Sequence, residues 1–132
     1  MIQPGKIQVR FADLDVLGHV NNTIYLSYFE MTRVHYFKEL LGVNWDWKKN
    51  GVVLVHNEVD YIQPVLLHHE PLIYMVTEHI GSKSFTLSYE LKVNGIIFAK
   101  GKSVLVGFDG EKQQSTVIPD EMKQVLTRLL KS

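Results

Sequence analysis

The chain has 132 residues, its 14 Lys and Arg balance 14 Asp and Glu, and it contains no cysteine. That length suits one domain, residues 1–132, burying roughly two-thirds of its unfolded surface. Zero formal net charge argues against the basic field that holds nucleic acid, and the missing thiols exclude disulfides, zinc–thiolate sites and a cysteine nucleophile.

The opening segment "MIQPGKIQVR" lacks the apolar core of a secretory signal, and no apolar run approaches ~18 residues. The expectation is a cytoplasmic protein with no membrane span and no nucleic-acid partner. Ile7, Val9 and Phe11 alternate with Gln8, Arg10 and Ala12, which predicts a half-buried strand with its odd-numbered side chains inward. From Asn22 to Leu41 neither Gly nor Pro interrupts. Ile24, Tyr28, Phe29, Thr32, Tyr36, Phe37, Leu40 and Leu41 recur there at helical spacing, predicting a long helix that Gly42 ends. Glu30 and Arg33, at i and i+3, read as an ion pair on its surface.

After the irregular "VNWDWKKNG", strands are predicted in "VVLVHNEVDYIQ", "PLIYMVTEHI" and "KSFTLSYELKV". Asn94-Gly95 then signals a hairpin, because a type I′ turn needs positive φ at both residues. "IIFAKGKSVLVGF" is the return strand, closed by Asp109-Gly110. "PDEMKQVLTRLL" predicts a C-terminal helix with Met122, Val125, Leu126, Leu129 and Leu130 on one stripe. This order is α+β, a curved antiparallel sheet wrapped around the long helix with a second helix at the C-terminus.

Several motif readings fail on residue type. An EF-hand loop starting at Asp13 would place Leu17 and Ile24 where oxygen ligands are needed. Asp13, Asp15, His19 and His35 lack the tight helical spacing of metallohydrolase ligands, so no metal is expected. "NGIIFAKGKS" imitates a phosphate loop, but Ile96 stands at the first glycine position and the Lys-Ser pair falls in a predicted strand. His68-His69 reads as a solvated turn with diverging side chains. None of Ser27, Ser82, Ser84, Ser88 or Ser103 stands in a nucleophile elbow.

What remains is "FADLDVLGHVNN", a carboxylate a loop's length before a helix N-terminus. Free N–H groups at Asn22 and the following turn, with the positive end of the helix dipole, suit a developing oxyanion. Asp15 is placed to attack a polarised carbonyl or to activate water against it. The competing reading is that Asp15, Asn21 or Asn22 caps the helix. His19 either braces the loop or touches ligand.

The segment "RFADLDVLGHVNNTIYLSYFEMTR" resembles the signature of the hotdog-fold acyl-CoA thioesterases of the 4-hydroxybenzoyl-CoA thioesterase-like superfamily. "NEVDYIQPV" is similar to that family's next strand, and "GSKSFTLSYEL" to the one after. The resemblance implies a hotdog fold and hydrolysis of an acyl-CoA, and Tyr25, Tyr28 and Phe29, near the start of the helix that should face the acyl group, predict an apolar, aromatic pocket floor that prefers fatty or aromatic acyl groups. It assigns Asp15 as the catalytic carboxylate and Asn22 as the residue whose N–H faces the thioester carbonyl. Gly18 and His19 match the loop over the acyl group, and Tyr25 the first helical turn bordering the pocket. It also implies a homodimer, or a homotetramer, whose sheets join edge to edge, with the site at the interface and the partner's copy of the "HNEVDY" strand, which carries Asn57 and Glu58, walling it. Coenzyme A is part of the substrate and no cofactor is implied. Lys83, Lys100 and Lys102 are candidate phosphate contacts. "LLHHEPL" departs from the family in lacking a Gly-Asp pair, and Glu30 lies too late on the helix to match the branch with a helical catalytic glutamate. Two alternatives within the fold are an acyl-CoA dehydratase or hydratase, using Asp15 with His19, and a non-catalytic acyl-CoA-binding module.

Overall fold

The structure, a computed structural model, describes residues 2–131. Its elements are β1 (Gly5–Lys6), α1 (Ile24–Leu41), β2 (Gly51–Tyr61), β3 (Leu72–Ile80), β4 (Ser84–Val93), β5 (Ile96–Asp109), β6 (Gln114–Ser115) and α2 (Asp120–Arg128). The strands form one antiparallel sheet in the order β1-β3-β4-β5-β2, with β6 added to the end of β5. Among the described residues no helix is long and apolar enough to cross a membrane.

Strict alternation drives the central strands. In β4, Phe85, Leu87, Tyr89, Leu91 and Val93 are buried while the residues between them are half-buried on the opposite face. Against that inner face α1 lays Tyr25, Tyr28, Phe29, Thr32, Arg33, Tyr36 and Phe37, spaced by three and four. Phe29 stacks on Tyr89 with centroids 4.4 Å apart, and Phe37 meets Phe85 edge-on at 6.3 Å. Asn94 (φ 51°) and Gly95 (φ 79°) both adopt positive φ between β4 and β5, as the hairpin signal requires. Lys102-Ser103 lies inside β5, so the phosphate-loop imitation has no helix to serve.

Gly101 marks the closest approach of helix and sheet. A Cβ built there would meet Phe29 Cε2 at 2.5 Å and Cζ at 2.8 Å. Gly101→Ala must therefore displace the ring that stacks on Tyr89, and is expected to destabilise the fold by about 1–3 kcal/mol, measured as a lower urea midpoint at unchanged slope.

The sequence expectations need correction at four places. The first strand is shorter than its alternation suggests. Ile7 and Val9 are buried as expected, but only Gly5–Lys6 pairs as a strand, and Phe11 is 83% exposed. A 3-10 turn at Phe11–Asp13 reverses the chain so that Asp13, not Phe11, goes inward. The long helix starts at Ile24 rather than Asn22, because Asn21 Oδ1 accepts the Thr23 N–H at 3.0 Å and the Thr23 hydroxyl at 2.8 Å in a turn before it. The C-terminal helix stops at Arg128. Leu130 leaves its stripe to bridge Thr77 of β3, where Thr77 N–H donates to Leu129 O and its carbonyl accepts from Lys131. Finally, His68 and His69 do not diverge, their ring centroids lying 4.4 Å apart. His69 Nδ1 accepts the Leu66 N–H at 2.9 Å and the ring meets Phe98 edge-on, so His69 is half-buried. Burial, then the neighbouring His68, lowers its pKa.

β2 carries a bulge that matters for the site. Leu54 faces Leu105 and His56 faces Val104, leaving Val55 unpaired between them. Leu54 thus points inward with even-numbered Val52, whereas beyond the bulge Asn57, Val59 and Tyr61 take the inner face and His56, Glu58 and Asp60 the outer one. The other edge of β2 has no strand partner among the described residues.

Candidate active site

Asp13 and Asp15, adjacent in pattern, occupy opposite environments. Asp13 is 1% exposed, and its carboxylate accepts the Tyr28 hydroxyl at 2.6 Å, the Arg10 N–H at 3.0 Å and the Arg10 guanidinium at 3.3 Å. Burial pushes its pKa up, but those hydrogen bonds and the Arg10 charge outweigh burial and the net shift is downward. Tyr28 is shifted upward, by burial first and then by the carboxylate it donates to. Every oxygen of Asp13 is thereby committed to holding the 3-10 turn beneath α1.

Asp15 lies in the next loop and is only half-buried. Its Oδ1 accepts the N–H groups of Leu17 (2.9 Å) and His19 (3.2 Å), while its backbone exchanges bonds with His19 and Gly18. Gly18 takes φ +77° with open space around it, so the left-handed turn and not crowding calls for glycine there. The loop is tied down at Val20, whose N–H donates to Val65 O at 2.8 Å. Asp15 does not cap α1; the Asn21 side chain takes the turn before the helix. Asp15 Oδ2 carries none of these bonds.

Asp15, His19, Val20, Asn22, Tyr25 and Tyr61 line a cavity of about 260 Å³, with Ile62, Gln63 and Pro64 at its side. No backbone carbonyl of the described residues accepts the Asn22 N–H, and Asn22 is exposed. The Tyr61 hydroxyl donates to Asn22 O at 2.9 Å, pinning the turn that enters the helix. Tyr61 also meets buried Tyr25 edge-on at 4.9 Å, and burial raises the pKa of both phenols, keeping them neutral. Tyr61 was not singled out by sequence reasoning, although it lies within the quoted segment "NEVDYIQPV".

The structure thus brings Asp15, Asn22, His19 and Tyr25 together, with Gly18 shaping their loop. Within a single chain the other candidates lie apart from this cavity, which leaves open the walling role expected of a partner's strand. Asn57 is on the inner face of β2 but its amide is engaged by the Ser103 hydroxyl at 2.7 Å. Glu58, one residue on, points to the outer face within its own chain, beside His56 at 3.2 Å and opposite Lys102. Neighbouring strand residues cannot share a face. Lys83 sits in the β3–β4 turn, at the far end of β4 from the residues that close the Asp15 cavity. Lys100 and Lys102 stand in register with Asp60 and Glu58, and these four residues line a separate cavity of about 470 Å³. The Glu30–Arg33 surface pair is absent. Arg33 is buried, and its Nη1 reaches the Tyr89 hydroxyl at 3.0 Å and Ser103 Oγ at 3.4 Å. Of the helix-start aromatics, only Tyr25 lines the Asp15 cavity; Tyr28 serves Asp13 and Phe29 the core. Asp13, Asp15, His19 and His35 do not converge, since His35 Nε2 is held at Gln3 O, 2.8 Å away. Among the described residues no three His, Asp or Glu side chains cluster in a metal-binding arrangement.

The arrangement presents one available carboxylate oxygen and one unpaired backbone donor to a small cavity with tyrosine walls. A carbonyl bound there would have within the same cavity a carboxylate able to act as nucleophile or general base and a backbone donor for a developing oxyanion.

Comparison with known proteins gives a consistent result. The family described as Thioesterase-like superfamily matches residues 9–126. A Bacillus subtilis (strain 168) protein, YsmA, is 34% identical over 122 residues, covering 92% of this chain and 82% of its own. The Escherichia coli (strain K12) long-chain acyl-CoA thioesterase FadM is 27% identical over 96% of this chain and 98% of its own. The solved structure of a Thermus thermophilus thioesterase complexed with coenzyme A and Zn superposes with a TM-score of 0.82 at 35% identity, covering 94% of this chain and 90% of that one. The sheet-around-helix architecture described above is the hotdog fold of these thioesterases.

Proposed function

The chain belongs to the thioesterase-like superfamily, and from that premise we propose that it hydrolyses acyl-CoA thioesters to a free acid and coenzyme A at the Asp15 cavity. The observation that carries this reading is that Asp15 and Asn22, whose N–H is accepted by none of the described residues, line one cavity. Water is consumed and the C–S bond breaks; the acyl carbon keeps the new oxygen and sulfur leaves as thiolate. A thiol of pKa ~8.5 departs without a strong general acid, so one carboxylate and an oxyanion donor suffice. Tyr61 acts as a positioning residue through Asn22 O, and the loop held by Gly18 and His19 sets the reach of Asp15. Coenzyme A enters as part of the substrate.

Val20, Tyr25, Ile62 and Pro64 give the cavity apolar walls suited to fatty or aromatic acyl groups. The long-chain acyl-CoA activity named for FadM supports the fatty part of that class, and the coenzyme A bound to the Thermus thermophilus thioesterase supports a coenzyme A thioester. Measuring coenzyme A thiol release together with hydration of an enoyl-CoA tests the proposal. Thiol release without hydration supports hydrolysis; hydration alone would make the protein a hydratase, and binding with neither would make it a carrier.

The open edge of β2 supports a homodimer, or a tetramer built from it. Val53, Leu54 and Val55 are 41%, 39% and 57% exposed on an eleven-residue strand with one open edge, a surface that in isolation invites aggregation. A second copy paired along β2 would cover it. Light scattering at micromolar concentration is expected to give a dimer mass or its double, and a fully active monomer would contradict this assembly.

A further inference from the structure

Arg33 has no part in the hydrolysis above, yet it is a buried charge. It is 8% exposed, and its hydrogen bonds, all from Nη1, go to the neutral hydroxyls of Tyr89 and Ser103. No carboxylate among the described residues forms an ion pair with it. A guanidinium buried against hydroxyls alone leaves its charge uncompensated, which is costly unless a counter-charge arrives. Nε and Nη2, the remaining donors of the fork, carry no hydrogen bond to the described residues.

Arg33 lines a cavity of about 560 Å³, more than twice the volume of the Asp15 cavity. Phe37, Trp47, Leu54 and Leu105 form its apolar wall, and its charged residues are Glu30, Arg33 and Lys38, one anion against two cations. Both cavities lie along the same two elements. Asn22, Leu26, Glu30 and Arg33 follow one another by four, four and three positions, hence along one side of the helix and its entry turn. Asn22 and Arg33 are about 16 Å apart along that axis. Asn57, which ties the Arg33 cluster to β2, shares the inner face of that strand with Tyr61 of the Asp15 cavity.

We propose that the Arg33 cavity receives the far end of the acyl group, and that Arg33 selects acyl groups ending in a carboxylate. This rests on the thioester-hydrolysis reading above. The apolar wall accepts the methylene chain, and the carboxylate completes the guanidinium fork with the charge-assisted, two-point geometry that a methyl terminus lacks.

The test compares kcat/KM for dodecanedioyl-CoA, loaded at one end, with that for dodecanoyl-CoA. The ratio is insensitive to the fraction of folded enzyme. The wild type is expected to favour the dicarboxylic substrate by at least ~10-fold. In Arg33→Met the ratio should fall below one, because an unpaired carboxylate would enter an apolar cavity, and Arg33→Lys should keep part of the preference. A wild-type preference for dodecanoyl-CoA, equal turnover of the two, or a ratio unchanged in Arg33→Met would overturn the proposal. Calorimetric titration with free dodecanedioate separates this inference from the hydrolysis reading. If neither thioester is turned over, the hydrolysis reading fails, and dodecanedioate binding that is lost in Arg33→Met still upholds the Arg33 site. No dodecanedioate binding in that case overturns the site as well.

Discussion

Asp15→Asn is expected to lower kcat by at least ~10²-fold while leaving the fold and acyl-CoA affinity in place. The amide keeps an oxygen at Oδ1 for the Leu17 and His19 N–H groups, so the loop retains its brace. What disappears is the charge and the basic oxygen that no other group in the cavity replaces. Both ways of using the carboxylate, attack on the carbonyl or deprotonation of water, predict the same loss. Stopped-flow or steady-state thiol release measures kcat, and a thermal melt checks the fold. Retained activity with a lowered melting temperature would reduce Asp15 to a loop brace.

Asp13→Asn should behave in the opposite way, with a large cost in stability and a smaller one in rate. Its carboxylate is buried and takes charge-assisted hydrogen bonds from Tyr28 and Arg10. Replacing it with a neutral amide is expected to destabilise the protein by about 2–3 kcal/mol. The pH dependence carries a further signature. Because the folded pKa of Asp13 is lowered below its value in the unfolded chain, near ~3.9, the folded state releases this proton more readily. Its stabilisation is complete above that unfolded value and is lost as pH falls toward the folded one. Tyr28 is shifted upward, so its contribution is complete below the unfolded tyrosine value near ~10 and is lost as pH rises through the folded one. Urea unfolding as a function of pH should therefore show shallower acid-side and alkaline-side losses in Asp13→Asn than in the wild type. Parallel curves for the two proteins would contradict this role.

The elements set by local physics were readable from the chain. Alternation in "KSFTLSYELKV", the Asn94-Gly95 turn and the uninterrupted helical spacing up to Gly42 each depend on residues near in sequence, and the structure shows the corresponding strand, hairpin and helix. What sequence could not resolve depends on distant partners. Phe11 fits an inward alternation, but Asp13 finds the Tyr28 hydroxyl fifteen residues away and takes the buried place. Glu30 and Arg33 satisfy the spacing of a surface pair, yet Tyr89 and Ser103 offer Arg33 hydroxyls from two other strands. The bulge at Val55 changes which residues of "HNEVDY" face inward, and nothing in that run announces it. The neighbourhood of Asp15 and Asn22 was legible because one short loop joins them. Tyr61 was not, because its contact with Asn22 O crosses from the end of β2 to the start of the helix.

A crystal structure with an acyl-CoA analogue whose sulfur is replaced by methylene, leaving a ketone that cannot be hydrolysed, tests the central claim most directly. The account predicts the ketone oxygen ~2.7–3.1 Å from the Asn22 backbone nitrogen, with Asp15 Oδ2 within ~3–3.5 Å of the carbonyl carbon or of a water poised against it. An analogue bound with its carbonyl away from both groups, or with Asp15 turned from it, would contradict the assignment of this cavity as the site of hydrolysis.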